Sequence, residues 1–229
     1  MINKKRNAMI HTGWWLGLAC VGGLGFGAWG LSKSDCAVKG IAERSFTIDV
    51  DFNTFRQILV RTDATTAIVE HGGMKVIDES TDSVDIDLSN DSRPLRNLLK
   101  GKSKANVSAT KHLTVQLNDP QLNATELKLS QDCKIQPDKI HIVSIADQPA
   151  GELKTYRTSF DAVKVNGRTE IRLSLDMTVD VCISRLFLPQ AEARVKQAAE
   201  KTMEEQESAI RSLVSKFERD AIIVPVFKR

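Results

Sequence analysis

Two consecutive stretches near the C-terminus constrain the fold more than anything else in this chain. In "TEIRLSLDMTVDVCI" the residues Ile171, Leu173, Leu175, Met177, Val179, Val181 and Ile183 share one parity, with Arg172, Asp176 and Asp180 on the other. That is the period of a long strand with one dry face. The next thirty residues, from Leu188 to Phe217, contain no glycine and are rich in strong helix formers, with Pro189 where a first turn tolerates it, which predicts one helix. Leu188, Ala191, Val195, Ala198, Thr202, Met203, Ile210, Leu213 and Phe217 draw an apolar stripe along it, interrupted by Gln206. One side of this helix must lie on something apolar.

The chain upstream reads for the most part as strands. In "FTIDVDF" the residues Phe46, Ile48, Val50 and Phe52 alternate with Thr47, Asp49 and Asp51, which predicts the first strand. Asn53 is positioned to cap a short helix bearing Phe55, Ile58 and Leu59, and a second short helix is expected over Asp63 to His71, before the Gly72-Gly73 break. Alternation then dominates: Val84, Ile86 and Leu88; Val107, Ala109, Leu113, Val115 and Leu117; Leu127, Leu129 and Ile135; Ile140, Ile142 and Ile145. A short helical insertion around Leu95, Leu98 and Leu99 ends at Gly101, and Asn166-Gly167 suits a two-residue type I′ hairpin leading into the long last strand. Many Val, Ile, Leu and Thr, with no Trp and one Tyr after Leu31, favour aliphatic β packing, so the fold class is α+β with an antiparallel sheet. The tail "AIIVPVF", Ala221 to Phe227, is short, apolar and without an assigned role.

One strand, two short helices, a run of antiparallel strands and a long C-terminal helix resemble the helix-grip, or START-like (SRPBCC, polyketide cyclase-like), superfamily, over roughly Ser45 to Phe217. The resemblance implies a curved sheet clasping the last helix, with a cavity for an apolar ligand between them. Cavity candidates on the sheet are then Leu113, Val115, Phe160, Leu173, Leu175 and Met177, and on the helix Met203, Ile210 and Leu213; at each, ordinary core packing is the competing reading. It also implies that the first strand pairs antiparallel with the last, which would make Cys36 and Cys182 neighbours and allow a disulfide between them, with three separate reduced cysteines as the competing reading. Cys133 shares the register of Leu129 and Ile135 and is read as a small buried hydrophobe.

Ahead of this body lies "GWWLGLACVGGLGFGAWGL", Gly13 to Leu31, nineteen uncharged residues with Trp14, Trp15 and Trp29 near its ends. As a helix it would reach roughly 28 Å, close to the hydrocarbon thickness of a bilayer. Lys4, Lys5 and Arg6 precede it with no acid, which keeps the N-terminus cytoplasmic and sends the rest outward. A transmembrane anchor is the leading reading; a cleaved signal peptide and a lipoprotein acylated at Cys20 are its competitors, and all three export the body. The expected organisation is a basic N-terminus over 1–12, the anchor over 13–31, a tether over 32–44, the START-like domain over 45–219 and a tail over 220–229. The expected location is the inner membrane, single-pass, with the bulk of the chain periplasmic. Ala19, Gly23 and Gly27 recur every four residues and form a smooth stripe suited to a second transmembrane helix, against the plainer fact that membrane helices are rich in glycine.

Lys4, Lys5 and Arg6 carry the whole net charge of +3; the remainder balances 29 basic against 29 acidic residues. No basic stripe points to nucleic acid. His11, His71, His112 and His141 are scattered with no zinc spacing, and the cysteines match no metal pattern. No nucleophile elbow, phosphate-binding loop or dinucleotide fingerprint is present, so neither a catalytic constellation nor a cofactor is assigned. Asp85 with Asp87, and Asp176 with Asp180, read as wet strand faces. Two functions remain: a membrane-anchored extracytoplasmic domain that binds a lipid or other apolar small molecule, or a non-catalytic assembly subunit of a bacterial envelope complex, recruited through the glycine stripe and the apolar tail.

Overall fold

The alternation in the sequence is expressed as seven strands, and the computed structural model describes them through residues 33–61, 64–71, 75–89, 105–116 and 126–221. The strands are β1 (Ser34–Ile48), β2 (Lys75–Asp87), β3 (Asn106–Gln116), β4 (Glu126–Ile135), β5 (Lys139–Ala146), β6 (Leu153–Val165) and β7 (Arg168–Ile183). Helices α1 (Phe52–Arg61) and α2 (Ala64–His71) connect β1 to β2, and a 3₁₀ turn, Arg185–Phe187, leads into the long helix α3 (Leu188–Ala221). All neighbours are antiparallel, in the order β1-β7-β6-β5-β4-β3-β2. The α+β class expected for residues 45–219 is the one observed, an antiparallel sheet with the last helix against it in a helix-grip arrangement. The expected membrane segment Gly13 to Leu31 with its Ala19, Gly23 and Gly27 stripe, the insertion near Leu95 and the apolar tail beyond Ala221 lie outside the described residues. Among the described residues no helix is long and apolar enough to cross a membrane.

The first strand corrects the expected boundaries. Residues 32–44, expected as a tether, are for the most part strand: β1 begins at Ser34 and runs fifteen residues beside β7, from Ser34 opposite Ile183 to Ile48 opposite Thr169. Its inward positions Gly40 and Ala42 are small, and at Gly40 a Cβ would lie 2.9 Å from the Val195 carbonyl of α3; such small inward residues hide the alternation from a hydrophobicity reading. Asp51, rather than Asn53, caps α1: its Oδ1 accepts from the backbone N–H of Asn53 at 3.0 Å and of Thr54 at 3.2 Å, with Phe52 already helical. Asn166 and Gly167 have φ of 48° and 79°, the two positive values that a type I′ turn requires.

The second correction concerns sulfur. Cys36 and Cys182 do reach the same end of the β1/β7 pair, but Cys36 stands opposite Val181 and Cys182 opposite Asp35. One residue out of register puts the two side chains on opposite faces of the sheet, and the expected disulfide is absent: both are free thiols.

Ion pairs lock α3 to β1. Arg44 bonds Glu207 and lies 3.2 Å from Glu204, while Arg211 bonds Glu207 at 2.7 Å and rests 4.9 Å above the Phe46 ring. Burial alone would raise the Glu207 carboxyl, but the hydrogen bonds from Arg44 and Arg211 outweigh it and hold its pKa below the usual value. Asp51 is likewise held low, its desolvation outweighed by hydrogen bonds from Thr54 and Asn53. A depressed folded pKa contributes stability that is complete above the ordinary carboxylate range of about 4 and is lost as pH falls through the lower folded value. Urea midpoints should therefore fall steeply below about pH 4, and Glu207→Gln should flatten that acid limb while lowering the plateau above it.

Candidate ligand site on the concave face

Residues directly opposite in antiparallel strands share a face, so the register assigns the side of the sheet that α3 occupies. Over β1 and β7 that concave face is dry: Val38, Leu175, Met177 and Val179 are buried beneath the helix. Toward β2 the cover thins over the rows of Cys133 and Ile135, while Leu113, Val115, Leu127 and Leu129 stay buried. Ile135, Cys133, Ile142 and Phe160 are only partly buried, and on the edge strand Val84 and Ile86 are 58% and 56% exposed. One end of the grip is closed by α1, whose Phe52, Phe55 and Ile58 are fully buried, with Phe55 stacked on Phe160 at 6.2 Å between centroids.

A polar belt crosses this apolar face. Thr81, Lys111, Gln131, Ser144 and Thr158 follow one another across β2 to β6 at a single level, with Leu175 and Ala42 completing the row. Lys111 is ion-paired with Glu79, one step along β2, and the Gln131 amide donates to Ser144 Oγ at 3.0 Å, with both residues buried. The rows on either side are largely apolar: Ala109, Cys133, Ile142, Phe160 and Leu173 above, Leu113, Leu129 and Met177 below. In the lower row, burial holds the Tyr156 hydroxyl at a pKa of about 12, so it remains a neutral donor. Burial also raises the Cys133 thiol, against an opposing pull from the Lys111 ammonium, which keeps it an uncharged, weakly nucleophilic group. From the helix, Glu205 is 6% exposed, with Lys201 Nζ 3.7 Å from its Oε1.

All nine sequence candidates lie in the apolar cluster between sheet and helix. Leu113, Val115, Leu173, Leu175, Met177, Met203 and Ile210 are buried there, whereas Phe160 and Leu213 are partly exposed. The belt was not anticipated, and its signal is a polar residue at inward parity: Lys111 between Ala109 and Leu113, Gln131 between Leu129 and Cys133, Ser144 between Ile142 and Ala146. Ile145, grouped with Ile140 and Ile142 in the sequence reading, falls on the opposite face and is exposed.

The convex face carries the histidines. His112 Nε2 lies 2.8 Å from Asp82 Oδ2 and its Nδ1 3.0 Å from Ser130 Oγ, which itself donates to Asp147; His141 Nδ1 lies 2.9 Å from Asp161. These are hydrogen-bonded histidines on the outer side of the strands. Among the described residues no group of three or more metal-ligating side chains is placed to hold an ion.

No protein-family model and no curated protein matches the chain. Solved structures do. A START superfamily protein from Mycobacterium smegmatis is 12% identical, covering 77% of this chain and 98% of its own, with a TM-score of 0.45. The Zhui aromatase/cyclase from Streptomyces sp. R1128 is 12% identical, covering 80% and 96%, at 0.41. Norcoclaurine synthase from Thalictrum flavum is 10% identical, covering 78% and 94%, at 0.37. At these identities the likeness is one of fold; the helix-grip assignment rests on this chain's own strand order and helix.

Proposed function

We propose that this chain is a membrane-tethered, extracytoplasmic domain that binds an apolar small molecule with a polar group, a lipid or a comparable amphiphile, between the concave face and α3. One observation carries the reading: a face that is dry beneath the helix at β7 becomes partly exposed, while still apolar, at Cys133, Ile135, Ile142 and Phe160. Apolar surface of this kind gains roughly 25 cal/mol for each Å² removed from water, which an apolar ligand would supply. The belt of Lys111, Gln131, Ser144 and Thr158 offers donors and acceptors in the middle of that surface, where they fix a ligand's orientation at little cost in apolar contact. The tether is supported by the length of Gly13 to Leu31, its flanking Trp residues and the basic residues before it.

Ile142→Trp tests the site, because it fills space if space exists. Native mass spectrometry of the full chain, extracted in mild detergent, should find discrete apolar adducts on the parent and none on Ile142→Trp, with melting temperatures within a few degrees of each other. No adduct on the parent, together with an overpacking loss of about 1–3 kcal/mol in the variant, would mean a filled core and no site.

A further inference from the structure

The start of β1 fixes which end of the domain meets the bilayer. Only Ser32 and Lys33 separate Leu31, the last residue of the apolar segment, from Ser34, the first of β1. That connection spans roughly 10 Å at full extension, comparable with the thickness of the headgroup layer. Ser34 pairs with Ile183, so the end of β7 and the turn that follows are held at the same level, one strand spacing of about 4.8 Å away. The hairpin at Asn166 and Gly167 and the β4–β5 turn at Asp138 lie at the other end of the sheet, about 50 Å off along the sixteen residues of β7.

The near end is built unlike the far one. None of Arg185, Leu186 and Phe187 is buried, and Leu186, at 71%, is the most exposed large hydrophobic residue among those described. The turn is held in shape by the Phe187 N–H donating to the Ser184 carbonyl at 2.9 Å, which presents Leu186 outward on a fixed loop. Lys33 precedes β1 and Arg185 precedes Leu186, both exposed, so two cations stand at this end of the pair with the exposed Leu186, in the company of one exposed acid, Asp35. An apolar tip flanked by cations is the chemistry of insertion into a headgroup layer that carries anionic lipid.

We propose that the turn Arg185–Leu186–Phe187, with Lys33, is a membrane-docking surface that seats the β1/β7 end of the grip in the headgroup layer of the bilayer. The proposal rests on the reading that Gly13 to Leu31 spans that bilayer. Docking sets the sheet end opposite α1 toward the lipid and holds the body against the surface instead of leaving it on a swinging tether.

The test uses the full chain in vesicles of phosphatidylethanolamine and phosphatidylglycerol containing a lipid with a photoactivatable diazirine near the top of its acyl chain. Peptide mapping after illumination should find lipid adducts both in Gly13 to Leu31 and in the peptide containing Leu186, and none around Asp138 or Asn166. Arg185→Glu combined with Leu186→Asp should reduce labelling of the turn several-fold with an unchanged melting temperature, since both side chains are exposed. Adducts confined to Gly13 to Leu31 would overturn the docking surface and leave the anchor standing. A chain released from the vesicles by alkaline carbonate, with no adduct in Gly13 to Leu31, would remove the anchor and the docking surface together.

Discussion

Phe55→Ala is expected to cost the domain about 3–5 kcal/mol, in the range for deleting a buried aromatic ring from a packed site. Phe55 is fully buried, and its ring stacks on Phe160 at an interplanar angle of 26°. It is the residue through which α1 closes one end of the concave face, with Phe52 and Ile58 beside it and the Asp51 cap fixing the helix start. For a chain of this length each kcal/mol moves the melting temperature by about 2–4 °C, so a fall of roughly 10 °C is the expected reading. Phe55→Leu keeps most of the volume and should lose less than half as much. If Phe55→Ala cost under about 1 kcal/mol, α1 would not be packed on Phe160 and that end of the grip would be open.

The ring pair was half legible in the sequence. Phe55, Ile58 and Leu59 announce a helix face, and the register of "SFDAVKV" puts Phe160 on one side of a strand, but nothing in either stretch says that the two rings meet. The long strand and long helix were readable because their periods persist over enough residues to exclude alternatives. β1 was readable only at its end, Phe46 to Ile48, because a strand that receives a helix backbone must carry small inward residues, and Gly40 and Ala42 resemble a linker when scored by hydrophobicity. The disulfide failed on a single residue of register: element order brings Cys36 and Cys182 to the same strand end, and only the ladder says they leave opposite faces. The belt was hidden for a related reason. Lys111, Gln131 and Ser144 occupy inward positions, and an inward polar residue is invisible to a search for alternating apolar ones until parity is counted through it.

Gly40→Val should be the most damaging substitution on β1, costing about 3 kcal/mol or more. A Cβ at Gly40 would lie 2.8 Å from Val195 Cγ1, 2.9 Å from the Val195 carbonyl oxygen and 3.2 Å from Met177 Cε. Met177 is unbranched and can turn aside, and the Val195 methyl can be removed by mutation, but the carbonyl belongs to the helix backbone and moves only if α3 moves. Gly40→Ala should therefore lose about 1–2 kcal/mol despite the entropy it removes from the unfolded chain, and Val195→Ala should recover only part of that loss in a double-mutant cycle. A neutral or stabilising Gly40→Ala, read from urea midpoints, would mean that the helix does not rest on β1. The same displacement bears on the proposed site. A helix lifted from β1 shifts over the half of the concave face that bears Ile142 and the polar belt, so Gly40→Ala should also weaken the apolar adduct seen by native mass spectrometry. Loss of stability with the adduct undiminished would show that the seat of the helix and the ligand space are independent.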